Sequence, residues 1–256
     1  MRHPFFASSR PLVFAHRGGS ALAPENTIAA FDNGLALGAD GLELDVHLSR
    51  DGVVVVHHDR TLNRTTALRG PIAARTADEL QRAAIPSLAE VLTRYRDVRI
   101  IIEMKVNRAE LAAAALDVIR RADAVERVCL GSFGWRVLRA ARAIEPRVAT
   151  SAAREEVRWA LYRSWCRWPV SRVAYTGYQV PEVSGSTRVV SRQFVEDAHR
   201  AGLGVQVWTV DTEQDARRLM AWGVDALITD RPDRIVPLVS SPHVARDLQV
   251  RRDGQA

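Results

Sequence analysis

The sequence predicts a single α/β domain folded as a TIM-type (β/α)8 barrel, and three observations carry that expectation. The chain has 256 residues, 47% of them hydrophobic, a length at which α/β barrels form one core. Eight short apolar runs alternate with segments of helical period, as strands covered on both faces require. An open doubly wound sheet is the runner-up, but it calls for a glycine-rich phosphate loop after the first strand. His16-Arg17-Gly18-Gly19 does not have that form.

In chain order, strands are expected at residues 12–15, 41–46, 99–104, 127–131, 147–150, 172–175, 204–209 and 226–229. Helical periodicity falls at 27–37, 109–121, 133–144, 192–201 and 213–222. Pro24 precedes the first helix, with Asn26 or Thr27 able to cap it. Gly38, Gly202 and Gly223 stand where helices should stop. Asp51-Gly52 marks a turn that folds 53–57 back on the second strand as a hairpin. The barrel is expected to span 12–240, with 1–11 and 241–256 as flexible termini.

Composition narrows the function. No run of 18 apolar residues exists, so no transmembrane helix is expected, and the first eleven residues lack a secretory pattern. Cys129 and Cys166 lie far apart and form no CxxC pair, which suits a reduced cytoplasm. The net charge of +6 is spread without a basic block, so no nucleic-acid partner is expected. Among 36 basic residues Lys105 is the only lysine, and a compact ammonium is not interchangeable with a guanidinium.

Strand ends hold the chemistry. Glu43 and Asp45 are two apart on the second strand, and Glu103 and Lys105 repeat that spacing on the third, so each pair points to one face. Three converging carboxylates repel unless something positive sits among them. A hard divalent cation, Ca²⁺ or Mg²⁺, answers that requirement, and salt bridges to Arg and Lys are the alternative. His16 ends the first strand and His58 follows the second, placing two proton-exchanging groups at the same end. Arg17 and Lys105 could clamp a phosphoryl group there.

The segments His16-Arg17-Gly18-Gly19, Pro24-Glu25-Asn26-Thr27, Glu43-Leu44-Asp45-Val46, Val56-His57-His58-Asp59 and Leu62-Asn63-Arg64-Thr65-Thr66 resemble glycerophosphodiester phosphodiesterases. So do Ile102-Glu103-Met104-Lys105, Val207-Trp208-Thr209-Val210 and the run from Gly223 to Pro232. The likeness is ordered and extends over about 12–236. It implies metal-dependent hydrolysis of a small glycerophosphodiester to glycerol 3-phosphate and an alcohol. By the same resemblance Glu43, Asp45 and Glu103 hold the cation, and His16 and His58 form the acid/base pair. Arg17 and Lys105 contact phosphate, and Trp208 lines the pocket beside the glycerol. The resemblance also implies attack by the glycerol 2-hydroxyl through a cyclic phosphate.

Other residues read more blandly. His57 is out of phase with His58 and reads as structural; His47 is out of phase with Glu43 and Asp45 and reads as supporting or exposed. His199 and His243 read as surface residues. Glu25 and Asn26 either orient Arg17 or cap the helix, and Asp230 reads as a cap of the last helix. The segment 67–85 is shorter than the family's usual insertion, which suggests an open pocket. Trp159, Trp165 and Trp168 alternate with Arg158, Arg163 and Arg167. That pattern reads as Trp–Arg packing between helices, with weak membrane-surface contact and a lysophospholipase D-like activity as the alternative. A non-catalytic barrel binding phosphorylated ligands is the remaining reading.

Overall fold

The computed structural model describes residues 3–168 and 173–240. Its strands, in chain order, are β1 (Leu12–His16), β2 (Gly41–Leu48), β3 (Val54–Val56), β4 (Arg99–Met104), β5 (Val128–Gly131) and β6 (Ala149–Thr150). They continue with β7 (Gly177–Pro181), β8 (Val183–Ser184), β9 (Thr187–Arg188), β10 (Gly204–Trp208) and β11 (Ala226–Thr229). Eight are parallel neighbours in the order β6-β5-β4-β2-β1-β11-β10-β7. The bridge between Ser151 and Gly177 brings the last back toward the first. The result is a nearly closed barrel.

Helices α1 (Ile28–Ala36), α2 (Ala77–Gln81), α3 (Leu88–Arg94), α4 (Ala109–Arg121) and α5 (Trp135–Ile144) lie between the strands. They are followed by α6 (Arg154–Trp165), α7 (Arg192–Arg200), α8 (Glu213–Trp222) and α9 (Pro232–Val239). Of the two candidate caps of α1, Thr27 takes the role, its hydroxyl accepting from the Ala30 N–H at 3.2 Å. The expected hairpin forms, with β3 antiparallel to β2. Apolar residues of 67–85, Ile72, Leu80 and Ile85, pack with Val55 and Leu62 in a small separate cluster.

The sixth barrel strand differs from expectation. It runs Gly177–Pro181, not 172–175, of which residue 172 lies outside the described residues. The run Val173-Ala174-Tyr175 reads as a strand, whereas the observed one begins with glycine and ends with proline, which strand propensity disfavours. Tertiary space decides: a Cβ on Gly177 or Gly204 would lie 2.7 or 2.5 Å from the Phe6 ring.

That ring corrects a second expectation. Of the expected flexible arm 1–11, the described residues 3–11 are not simply loose, because Pro4–Phe6 form a 3-10 turn and Phe5 and Phe6 are 1% and 3% exposed. They join Leu12, Phe14, Ile101, Cys129 and Ile228 in the barrel interior and close its floor. Residues 241–256, expected as the other flexible terminus, lie outside the described residues, as does His243. Strand residues of opposite phase face outward and pack on the helices.

Candidate active site

Alternation along the strands that seat phenylalanine and isoleucine inside the barrel brings polar side chains to its upper end. His16 comes one inward step after Phe14, Glu43 and Asp45 after Gly41, and Glu103 after Ile101. The register places His16 beside Glu43 and Asp45 beside Glu103. One oxygen from each of Glu43, Asp45 and Glu103 lies within 4.8 Å of the others. A cleft of about 180 Å³ above them is lined by His16, Arg17, Glu43, His58, Glu103, Lys105 and Trp208, among others. All eight sequence-predicted site residues therefore meet at one end of the barrel.

The turn after β1 is shaped for this. Arg17, Gly18 and Gly19 all have positive φ, at 51°, 88° and 95°, and a Cβ on Gly18 would lie 2.7 Å from Ala30. The curl aims the Arg17 N–H at Glu43 Oε2, 3.1 Å away. Asn26, also left-handed at 58°, does not cap α1. Its Nδ2 donates to Asp45 Oδ2 at 2.9 Å and its Oδ1 accepts from the Asp45 N–H at 3.3 Å. Two non-glycine residues in this sparsely populated region mark a backbone held by its surroundings.

Charge is crowded here. Burial, and then Asp45, raise the Glu43 pKa; burial also raises that of Glu103. Burial works against the Asp45 carboxylate too, but Lys105 and Arg17 outweigh it and the pKa falls. Lys105 Nζ sits 3.3 Å from both Asp45 Oδ1 and Glu103 Oε1. Arg17 Nε is 3.3 Å from Asp45 Oδ2 yet is buried without an aligned hydrogen-bond acceptor. A buried donor without an aligned acceptor is rare. Three hard oxygen donors this close also fit a divalent cation by chemistry and by spacing.

Both histidines are oriented by aspartates. His16 Nδ1 donates to Asp230 Oδ1 at 2.7 Å, and His58 Nδ1 to Asp59 Oδ1 at 2.7 Å. Burial opposes the His16 imidazolium, but Glu43 and Asp230 outweigh it and hold the pKa up at about 9. His16 Nε2 remains 3.7 Å from Glu43 Oε2. Behind Asp59 the chain of ion pairs continues through Arg64 to Glu25 and from Glu25 to Arg17.

Asp230 thus corrects the capping expectation: its carboxylate receives His16 and the Ser20 hydroxyl, and Arg231 is the N-cap of α9. Asp230, Asp59 and Gln179 were not among the sequence candidates. The β1–β11 register, which pairs Ala15 with Thr229, is the signal that sets Asp230 beside His16. His57 is buried and reaches the Thr61 carbonyl at 3.3 Å, away from the cleft. His47 is buried and reaches the His58 carbonyl at 3.1 Å, bracing that loop. His199 is partly exposed and pairs with Asp225. The tryptophans expected to pack between helices lie largely at the surface. Trp159, Trp165 and Trp168 are 65%, 65% and 60% exposed, and Trp159 and Trp168 meet Tyr162 edge-on.

The model of the glycerophosphoryl diester phosphodiesterase family matches residues 16–234. A glycerophosphodiester phosphodiesterase of Caldanaerobacter subterraneus is 30% identical over 253 residues, covering 90% of this chain and 98% of that protein. A probable glycerophosphodiester phosphodiesterase 2 of Mycobacterium tuberculosis is 33% identical over 239 residues, covering 87% and 88%. The structure of an Oleispira antarctica phosphodiesterase in complex with the product sn-glycerol-3-phosphate superposes with a TM-score of 0.72. It is 29% identical and covers 91% of this chain and 98% of that one.

Proposed function

The chain belongs to the glycerophosphoryl diester phosphodiesterase family and is a phosphodiester hydrolase, and from this premise we propose that it releases glycerol 3-phosphate and an alcohol using a histidine pair and a carboxylate-bound cation. The observation that carries the reading is the convergence of Glu43, Asp45 and Glu103 within 4.8 Å, beneath a cleft that His16 and His58 both line.

Glu43, Asp45 and Glu103 would hold Ca²⁺ or Mg²⁺, which supplies positive charge beside the phosphoryl oxygens when bound. Arg17, whose Nε faces Asp45 without an aligned hydrogen bond, offers its guanidinium to a phosphate oxygen, and Lys105 turns from the carboxylates toward the same anion. With Nδ1 of each histidine tied to an aspartate, Nε2 is left to exchange protons. The Asp230 carboxylate at Nδ1 favours the protonated ring, which suits His16 to protonate the departing oxygen. His58 accepts the proton of the attacking glycerol 2-hydroxyl as the alcohol leaves, and water, activated with the two roles reversed, opens the resulting cyclic phosphate to glycerol 3-phosphate. Trp208 forms one wall of the cleft, and Asp230 and Asp59 position the two rings.

No described helix is long and apolar enough to cross a membrane, and the free thiols of Cys129 and Cys166 suit a reducing cytoplasm. A second reading, weak contact of α6 with a lipid surface and hydrolysis of lysophospholipids there, is favoured by the exposed tryptophans, since monomers rarely show such patches. Co-sedimentation with anionic vesicles that is lost in W159A/W165A would support it; no sedimentation would discard it.

The main test measures glycerol 3-phosphate release from glycerophosphocholine, glycerophosphoethanolamine and glycerophosphoglycerol after chelation and after adding back Ca²⁺ or Mg²⁺. Loss and recovery are expected, with a higher melting temperature on metal addition because only the folded chain assembles the site. Full turnover in excess chelator would remove the metal from the reading. No turnover of any of these substrates with metal present would remove the substrate class.

A further inference from the structure

A larger cavity, about 540 Å³, adjoins the cleft and shares Glu103, Phe133, Gln179 and Trp208 with it. The smaller cleft, with both histidines and the carboxylates, is taken up by the phosphoryl group and its glycerol. The larger space is then left for the alcohol. The first two turns of α6 form one side of it with Val157 and Leu161, and the same turns bring Arg154 and Arg158 to it.

The charge on this lining is one-sided. Glu103 is its sole carboxylate, and Glu103 already belongs to the cluster beneath the cleft. Arg154 and Arg158 have no ion-pair partner among the described residues, whereas the next arginine along the barrel rim, Arg142, is paired with Glu156. The Arg154 guanidinium lies 5.2 Å over the Phe133 ring, and Phe133 meets Trp208 edge-on at 6.0 Å. One aromatic face of the cavity, that of Phe133, is therefore already covered by a cation. Gln179 Nε2, at the junction of the two cavities, is buried with no hydrogen-bond partner. Unpaired guanidiniums and an unpaired amide donor suit an anion with several acceptor oxygens.

We infer that this cavity receives the leaving alcohol and that Arg154 and Arg158 select alcohols carrying a second phosphate over neutral or cationic ones. The inference rests on the phosphodiesterase reading given above and specifies its substrate.

Four substrates decide it. Bis(glycerophospho)glycerol carries the second phosphate as a diester, and glycerophosphoinositol phosphate carries it as a monoester. Glycerophosphoglycerol and glycerophosphocholine present neutral and cationic alcohols. For the wild-type enzyme kcat/KM should be about tenfold or more higher for at least one phosphate-bearing substrate than for glycerophosphocholine, the equivalent of about 1.4 kcal/mol. Which of the two leads tells diester from monoester recognition. The preference should shrink as salt is raised, because both guanidiniums are exposed. R154E/R158E should reverse it, chiefly through KM, while R154K/R158K should keep part of it; unchanged melting temperatures would show that folding is intact. Equal kcat/KM across the four substrates, or a preference that survives R154E/R158E, would overturn the inference and leave the hydrolase reading standing. Failure to turn over any of the four with metal present would instead overturn both.

Discussion

The two ends of the barrel are built on opposite principles. At the floor, Phe5 stacks against Phe14 and meets Phe6 edge-on, Gly177 and Gly204 leave Phe6 room, and these rings are buried. At the mouth, three carboxylates share a small volume, two non-glycine residues hold left-handed backbone, and a guanidinium nitrogen is buried without an aligned acceptor. The floor is packed as a core should be packed. The mouth breaks the rules that make a core stable, as sites that must bind charge do. Fold stability and chemistry are thus assigned to opposite ends of the same eight strands.

Substitution can break this division. The largest effect is expected at the mouth, where H16A and H58A should each lower kcat by about 10²–10⁴ with little change in melting temperature. H57A should cost far less, and an equal loss there would refute the assignment of His58. At the floor F6A should behave in the reverse way, losing about 3–5 kcal/mol of stability while the folded fraction keeps near-normal kcat/KM. Chemical denaturation alongside the assay reads both quantities; a stable but inactive F6A would show that the ends are coupled.

Smaller effects sharpen the comparison. K105R keeps the charge but replaces a compact ammonium with a wider fork, so it should fold normally and lose about tenfold in kcat/KM, with K105A losing more. Near wild-type values in both would leave the phosphate to Arg17. The slightest effect is on stability against pH in the metal-free protein. The folded His16 pKa, about 9, lies above its ordinary 6.5, so its contribution is complete below pH 6.5 and lost as pH rises toward 9. The raised Glu43 pKa acts with the same sign. The melting temperature should therefore fall across that window in chelator, and H16Q should flatten the slope; a rise would reverse the argument.

Much of this was legible in the sequence, for a local reason. Strand phase alone puts Glu43 with Asp45 and Glu103 with Lys105, and a strand end alone exposes His16. What escaped depends on distant chain meeting. Asp230 reaches His16 only because the eighth strand closes on the first. The series Asp59, Arg64, Glu25 and Arg17 joins two separate loops. Gly177–Pro181 reads poorly as a strand because its first residue must be glycine to clear Phe6, more than 170 residues earlier in the chain.

One joint of the barrel is unlike the rest. Between β6 and β7 the ladder is reduced to the Ser151–Gly177 bridge, with Ala152 N–H to the Gly177 carbonyl at 2.8 Å and Thr176 N–H to the Thr150 carbonyl at 2.9 Å. Ser151, Ala152 and Gln179 beside it also border the larger cavity. Thermal breathing concentrates where few hydrogen bonds must open together, so the amides of Ala152 and Thr176 should exchange with deuterium sooner than those of β2 or β4. The room beside the cleft is then elastic on one side and rigid on the other. Molecules of different girth can be accommodated by that hinge-like seam while the carboxylates across the barrel stay fixed in register.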